Sequence, residues 1–222
     1  MNPVFDEDLR AVGGRLPEPE AVMAAYRVGL FPMGLGEGGG PPVGWWAPVA
    51  RGVLLPGDLR VSRSLRRSMR GFDCAVDTRF AEVVDGCADP HRDGAWITPA
   101  MRRLYLDLHA AGHAHSVEVM QDGELVGGLF GISFGRVFVG ESMFHRRTDA
   151  SKAALVALVR LLDAGGPTWL LDVQWITPHL ASLGVSELSG FDYAVRLQHA
   201  GGLDPGEVFS RAARTDVNFY AM

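Results

Sequence analysis

Three short segments hold the residues whose types and spacing suit chemistry. Gly140-Glu141-Ser142-Met143-Phe144 carries one carboxylate, Ala150-Ser151-Lys152 the only lysine, and Asp172-Val173-Gln174 an acid and an amide two residues apart. All lie in the most apolar part of the chain, where a polar group is costly to desolvate unless it is paired or used. Apart from histidine, every other basic residue is an arginine. Lys152 therefore stands alone, at the start of an expected helix.

Other chemistry-bearing patterns lead less far. His113-x-His115 puts two imidazoles on one side of a strand. That is half of a metal site, but no third ligand has suggestive spacing, and both read as structural. Cys74 and Cys87 form neither a disulfide framework nor a zinc set and read as reduced, buried thiols. Gly127, Gly128, Gly131, Gly135 and Gly140 match no phosphate-loop spacing. They read as strand positions that a ligand or neighbouring backbone approaches closely. No metal and no cofactor is expected.

One segment is strongly basic. Ser62 is placed to cap a short helix carrying Arg63, Arg66, Arg67 and Arg70 at i, i+3, i+4 and i+7, with Arg60 just before it. Like charges on one face destabilise an isolated helix, so the run fits either a solvated face or an anionic partner.

The elements that must position these groups follow from periodicity. Residues 1–16 read as irregular and acidic. Val22, Met23 and Tyr26 suggest a helix from Pro19 to about Val28, ended at Gly29. The following stretch through Pro48, dense in Gly and Pro, reads as a loop anchored by Trp45 and Trp46, as a packing clamp or a stacking platform. Asp77 is expected to cap a helix over 78–87, and Thr98-Pro99 to start one running to Gly112.

The period then changes to two. His115 to Val119 reads as a strand, Asp122-Gly123 as a hairpin turn, Glu124 to Ser133 as the return and Arg136 to Phe144 as a third strand. A helix over 150–164, a buried strand from Thr168 to Gln174, a helix from Thr177-Pro178 and a last one from Asp192 to His199 complete the order. On the first of these helices Leu155, Leu158 and Leu162 share a face. That face is either plain core or, with Leu129, Met143 and Leu171, the lining of an apolar pocket. The class is α+β with a hairpin-built sheet.

Composition sets the bounds. At 222 residues with 47% hydrophobic content, the chain suits one sizeable domain or a small one plus a larger one. A formal net charge of -5 argues against a nonspecific nucleic-acid coat and leaves room for the local arginine patch. No apolar run approaches the roughly 18 residues of a membrane span. The segment MNPVFDEDLR lacks the layout of a signal peptide. A cytoplasmic protein without a membrane partner is expected.

With these residues assembled, the chain resembles the leucyl/phenylalanyl-tRNA–protein transferases. AVGGRL, AYRVGLFPMG, WWAP, VSRSLRRSMR, DGCADP, GAWIT, GHAHSVEV, ELVGG, GESMF, ASKAAL, LDVQ and HLASLG occur in family order over about residues 11–195. The resemblance implies a small amino-terminal domain, expected over 1–58, and a catalytic domain over 59–222 similar to the Gcn5-related N-acetyltransferase fold. It implies transfer of leucine or phenylalanine, and methionine less readily, from aminoacyl-tRNA to the α-amine of proteins beginning with arginine or lysine. The product would be an N-degron for bacterial proteolysis.

The resemblance also assigns roles. Asp172 and Gln174 match the reaction centre, and Glu141 a contact to the aminoacyl end of the tRNA. Trp96 matches an aromatic holding the terminal adenosine, and Met33 stands where some members have tryptophan. Leu129, Met143, Leu155, Leu158, Leu162 and Leu171 fall on the side-chain pocket, and Arg60, Arg63, Arg66, Arg67 and Arg70 on the tRNA-binding surface. Two proton routes stay open: Asp172 accepts the proton of the incoming amine, or the departing ribose hydroxyl does. Asp172 and Glu141 are also the acids whose sign suits the acceptor's terminal Arg or Lys. An acyl-CoA-dependent N-acyltransferase and a non-catalytic binder of protein N-termini are the alternative functions.

Overall fold

The computed structural model describes residues 5–92, 94–205 and 208–209. A short helix, α1 (Phe5–Asp8), leads into strand β1 (Leu9–Gly13), so 5–13 is regular where irregular chain is expected. Helix α2 (Pro19–Arg27) follows, with Val22, Met23 and Tyr26 buried as their spacing predicts. The segment read as a loop instead contains β2 (Phe31–Gly34), a tight turn at Glu37–Gly39 and β3 (Val43–Trp46). These form a three-stranded sheet in the order β1-β3-β2. Trp46 is fully buried and donates to the Met33 carbonyl at 3.2 Å, which makes it a clamp. Short strands among glycines and prolines lack the alternation that announces a strand.

The larger sheet contains β4 (Ala50–Leu54), β5 (Asp73–Val76), β6 (Ala114–Gln121), β7 (Glu124–Phe134), β8 (Val137–His145), β9 (Leu170–Gln174) and β10 (Ser186–Ser189). Its order is β10-β4-β9-β8-β7-β6-β5. Neighbours are antiparallel except β8 and β9, which run parallel from Val137↔Leu170 to Val139↔Asp172. Periodicity locates β6, β7, β8 and β9, and the Asp122-Gly123 turn joins the first two as expected. It misses β4, β5 and β10. Residues 50–54 lie inside this sheet, on the amino-terminal side of the expected 58/59 boundary.

Helices cover both faces. On one side α3 (Arg63–Met69) and α6 (Ala150–Ala164) bury Leu65, Met69, Leu155 and Leu158 against Val117, Leu129, Phe138 and Leu171. On the other, α2, α4 (Phe80–Cys87), α5 (Pro99–Ala110) and α8 (Gly190–Gly201) pack on Phe130, Val139 and Leu170. Adjacent strand residues thus go to opposite cores, as a period of two requires. A short helix, α7 (Pro178–Ser182), follows β9, and Thr177 caps it as expected.

Asp77 does not cap α4, whose cap position is Arg79. Asp77 instead takes a left-handed backbone, accepts from the Ser116 amide at 2.8 Å and lies 2.7 Å from His115 Nδ1. His115 also stacks on Phe209 with ring centroids 4.1 Å apart, which is a packing role. The glycines in β7 meet the close approach expected of them. A Cβ on Gly127 would stand 2.6 Å from Ala150 Cβ, where α6 seats on the sheet.

Candidate active site

The site begins where two parallel strands part. Val139↔Asp172 is their last pairing; beyond it β8 runs on beside β7 alone, while β9 turns away at Gln174. The bulge between Gly52 and Val53 helps: Gly52 pairs with Gln174 and Val53 with Asp172, leaving Val173 as the extra residue. A side chain at Gly52 would crowd the turn, since its Cβ would stand 3.0 Å from the Ile176 amide nitrogen and the Trp175 carbonyl carbon.

A cavity of about 270 Å³ fills the gap. Leu129, Met143 and Leu171 of the sheet and Leu155 and Leu158 of α6 line it, joined by Val173 and Leu180. At the small end of ligand sites, which start at roughly 300 Å³, it suits one apolar group. Glu141 and Gln174 form its polar edge, and His179 and Arg92 also border it. Arg92 is spent on carbonyls, donating to Cys87 at 2.7 Å and Met143 at 2.5 Å. Leu162 is a correction to the sequence reading. Further along α6, it lines a different cavity of about 470 Å³ with Trp169 and Val208.

Asp172 is fully buried and saturated. Its Oδ1 accepts from Arg51 Nε at 2.8 Å and the Gln174 amide at 2.9 Å. Its Oδ2 accepts from Arg51 Nη2 at 2.6 Å and the Tyr193 hydroxyl at 2.7 Å. A carboxylate has about four lone-pair sites, and all are taken. Asp172 therefore offers nothing free to an acceptor's cationic side chain, against the expectation from charge sign. Burial opposes the Arg51 charge, but Asp172 more than offsets it and holds the guanidinium above its usual range. Burial and the Asp172 charge likewise raise the Tyr193 hydroxyl, keeping it a donor.

Glu141 is the opposite case. Its Oε2 accepts from the Tyr105 hydroxyl at 2.7 Å, while Oε1 is buried without a hydrogen-bond partner among the described residues. Burial, reinforced by Asp172, pushes its carboxyl up to about 7 against the pull of Tyr105 and Tyr26. The Tyr26 hydroxyl is also buried without a hydrogen bond of good geometry, close to both Glu141 and Tyr105, and burial and Glu141 hold it well above its ordinary range. Trp96 sits edge-on to Tyr105, ring centroids 6.3 Å apart, and Met33 packs against the same core. Trp96 and Met33 thus lie on the Tyr105 side and outside the apolar cavity.

The arginine helix forms as predicted, with Ser62 accepting from the Leu65 amide at 3.1 Å. Leu65 and Met69 face α6, while Arg60, Arg63, Arg66, Arg67 and Arg70 are all exposed. None of the five makes an ion pair among the described residues. Ser68 donates to Asp149 at 2.9 Å, and Lys152 binds the other Asp149 oxygen at 2.8 Å. Asp149 thereby ties α3 to the start of α6 through Ser68, and Lys152 is its counter-charge within α6. Sequence reasoning missed Arg51, Tyr193, Tyr26 and Tyr105. Arg51, heading the apolar run Gly52-Val53-Leu54-Leu55, carries the same signal as Asp172: a charge in a segment otherwise fit for burial.

Two family profiles match successive parts of the chain. Residues 53–198 match the family profile described as leucyl/phenylalanyl-tRNA protein transferase, and residues 17–49 that of its N-terminal domain. A leucyl/phenylalanyl-tRNA–protein transferase of Azoarcus sp. is 47% identical over 86% of this chain and 80% of its own length. One from Aromatoleum aromaticum is 47% identical over 90% and 84%, and one from Cereibacter sphaeroides 48% over 82% and 84%. Among solved structures, a GCN5-related N-acetyltransferase-like protein from Streptococcus suis aligns with a TM-score of 0.36 at 16% identity. It covers 63% of this chain and 57% of its own. Sequence, cleft and buried carboxyls together define an α+β transferase. The chain belongs to the leucyl/phenylalanyl-tRNA–protein transferase family.

Proposed function

We propose that the chain moves leucine or phenylalanine, and methionine less readily, from aminoacyl-tRNA to the α-amine of proteins beginning with arginine or lysine. The observation that carries this reading is the cleft between β8 and β9, an apolar cavity for one side chain with Glu141 and Gln174 at its polar edge. The unpaired Oε1 of Glu141 suits the α-ammonium group of the bound aminoacyl end, which would supply the missing donor. Trp96 and Met33 stand on the Tyr105 side for the terminal adenosine, and the arginines of α3 meet the tRNA backbone. We place the division of the chain before β4, between the two sheets. The modified protein is then a substrate of cytoplasmic proteolysis.

The donor ester is already activated, and an α-amine has a pKa of about 8, so much of the acceleration comes from holding amine and ester together. Asp172 has no lone pair left to take the amine's proton without releasing Arg51, Tyr193 or Gln174. Of the two proton routes, this favours the departing ribose hydroxyl. In that route the amine attacks the ester carbon, the C–O bond to ribose breaks, and the amine's proton ends on the ribose oxygen.

Incubation with radiolabelled Leu-tRNA and acceptors beginning Arg, Lys or Ala tests the reading. Label is expected on the first two acceptors only. Equal labelling of all three would defeat the acceptor assignment. Label delivered only from acyl-CoA would defeat the donor.

A further inference from the structure

Arg51 and Tyr193 are buried side chains far apart in sequence, and neither lines the cleft. Arg51 comes from β4 and Tyr193 from α8, and both end on Asp172. The guanidinium lies between two rings, 5.0 Å from the centroid of Phe31 and 4.6 Å from that of Tyr193. Its remaining arm donates to the Gly29 carbonyl at 3.1 Å. The small amino-terminal sheet, through Phe31, the large sheet and helix α8 thus meet around one ion pair.

That carboxylate has one outlet towards the cleft. Its Oδ1 accepts from the backbone amide of Gln174, a residue with φ of 59°. Left-handed backbone is unfavourable for a residue with a Cβ and persists only where the surroundings over-determine it. The next residue is pinned as well, since Trp175 Nε1 donates to Asp8 at 2.9 Å. Gln174 lines the cleft, so its backbone sets where a polar side chain meets the substrate.

We propose that Arg51 and Tyr193 are positioning residues of the transfer reaction, fixing Asp172 so that it holds Gln174 in its left-handed turn at the lip of the cleft. The proposal deepens the aminoacyl-transfer reading and rests on it. Arg51 acts through geometry as well as charge: two parallel N–H groups bind both carboxylate oxygens, which a lysine's single ammonium does not reproduce. Tyr193 supplies the fourth hydrogen bond and one wall of the guanidinium sandwich.

The test compares wild type with Tyr193→Phe and Arg51→Lys in transfer kinetics and in amide hydrogen exchange at Gln174, read by NMR against amides of α6. Tyr193→Phe keeps the ring and removes one hydrogen bond. It is expected to lower kcat roughly ten-fold, and Arg51→Lys about a hundred-fold, the scale of an ångström-sized misplacement. KM for aminoacyl-tRNA stays within about two-fold, because the cavity and the arginine helix are untouched. The Gln174 amide exchanges about ten-fold faster relative to α6 in both variants. Wild-type kcat in both variants, or exchange that accelerates equally at Gln174 and in α6, overturns the proposal. If wild type transfers no leucine, the functional reading falls, and exchange at Gln174 alone decides whether these residues position it.

Discussion

Two buried carboxyls on neighbouring strands behave in opposite ways. Asp172 on β9 accepts four hydrogen bonds, two from one guanidinium. Glu141 on β8 accepts one, leaves an oxygen unpartnered and has its pKa pushed up to about 7. A saturated carboxylate in a dry interior is an anchor, because any new partner must displace an old one. A half-satisfied one is costly while empty and gains from a ligand that brings a donor. Under the proposed function this contrast makes Asp172 part of the scaffold and Glu141 a contact to the substrate, although residue type alone makes them equivalent.

The strongest way to break the contrast is Asp172→Asn. It should strand the Arg51 charge in the core and cost about 3–5 kcal/mol, with loss of transfer activity. Denaturant unfolding checks this, and a variant of near-wild-type stability would return Asp172 to the candidates for proton transfer. Glu141→Gln should act with the opposite sign on stability. Because folding raises the Glu141 pKa from 4.5 to about 7, its contribution is full below pH 4.5 and lost as pH rises through 7. At pH 8 the amide should therefore be more stable than wild type, by up to about 3 kcal/mol at 1.36 kcal/mol per unit. The gap should close below about pH 4.5. Thermal melts across pH test this; a constant difference would show that Glu141 titrates normally.

The apolar side of the cleft sharpens the comparison on a smaller scale. Leu158→Phe should fill much of the cavity and shift preference away from phenylalanine, on the order of ten-fold in relative kcat/KM. Leu162→Ala, a change outside that lining, should cost stability and leave the Leu-to-Phe ratio alone. A shifted ratio in Leu162→Ala would extend the pocket along α6. The smallest and most diffuse effect belongs to Arg63, Arg66 and Arg67. Replacing each with alanine should weaken binding of different tRNAs alike, flattening the salt dependence by up to about one log unit per arginine. An unchanged salt slope would leave that helix a solvated face.

The groups that advertise chemistry were legible in the sequence as charges in apolar segments; Glu141 and Gln174 line the cleft, and Asp172 is buried behind it, bonded to the Gln174 amide. Helix α6 runs over 150–164 as its periodicity predicts, and β6 to β8 follow the alternation of their residues. The short strands β3, β4 and β10 escaped, since a period cannot be read over so few positions, whereas β9, equally short, was found as an apolar run. Leu162 went astray for a related reason. It shares a helical face with Leu155 and Leu158, but the cleft ends before the helix does.

The chain's own pattern of residues therefore determined its family, its α+β class, the apolar character of the pocket and the presence of an arginine helix. These depend on residue type and local spacing. Only the tertiary structure decided which carboxyl is spent and which is open. Arg51 lies 121 positions from Asp172 in the chain, and Tyr105 lies 36 from Glu141. A hydrogen bond of that kind depends on how β4, α5 and the two parting strands meet. Spacing along the chain does not record it.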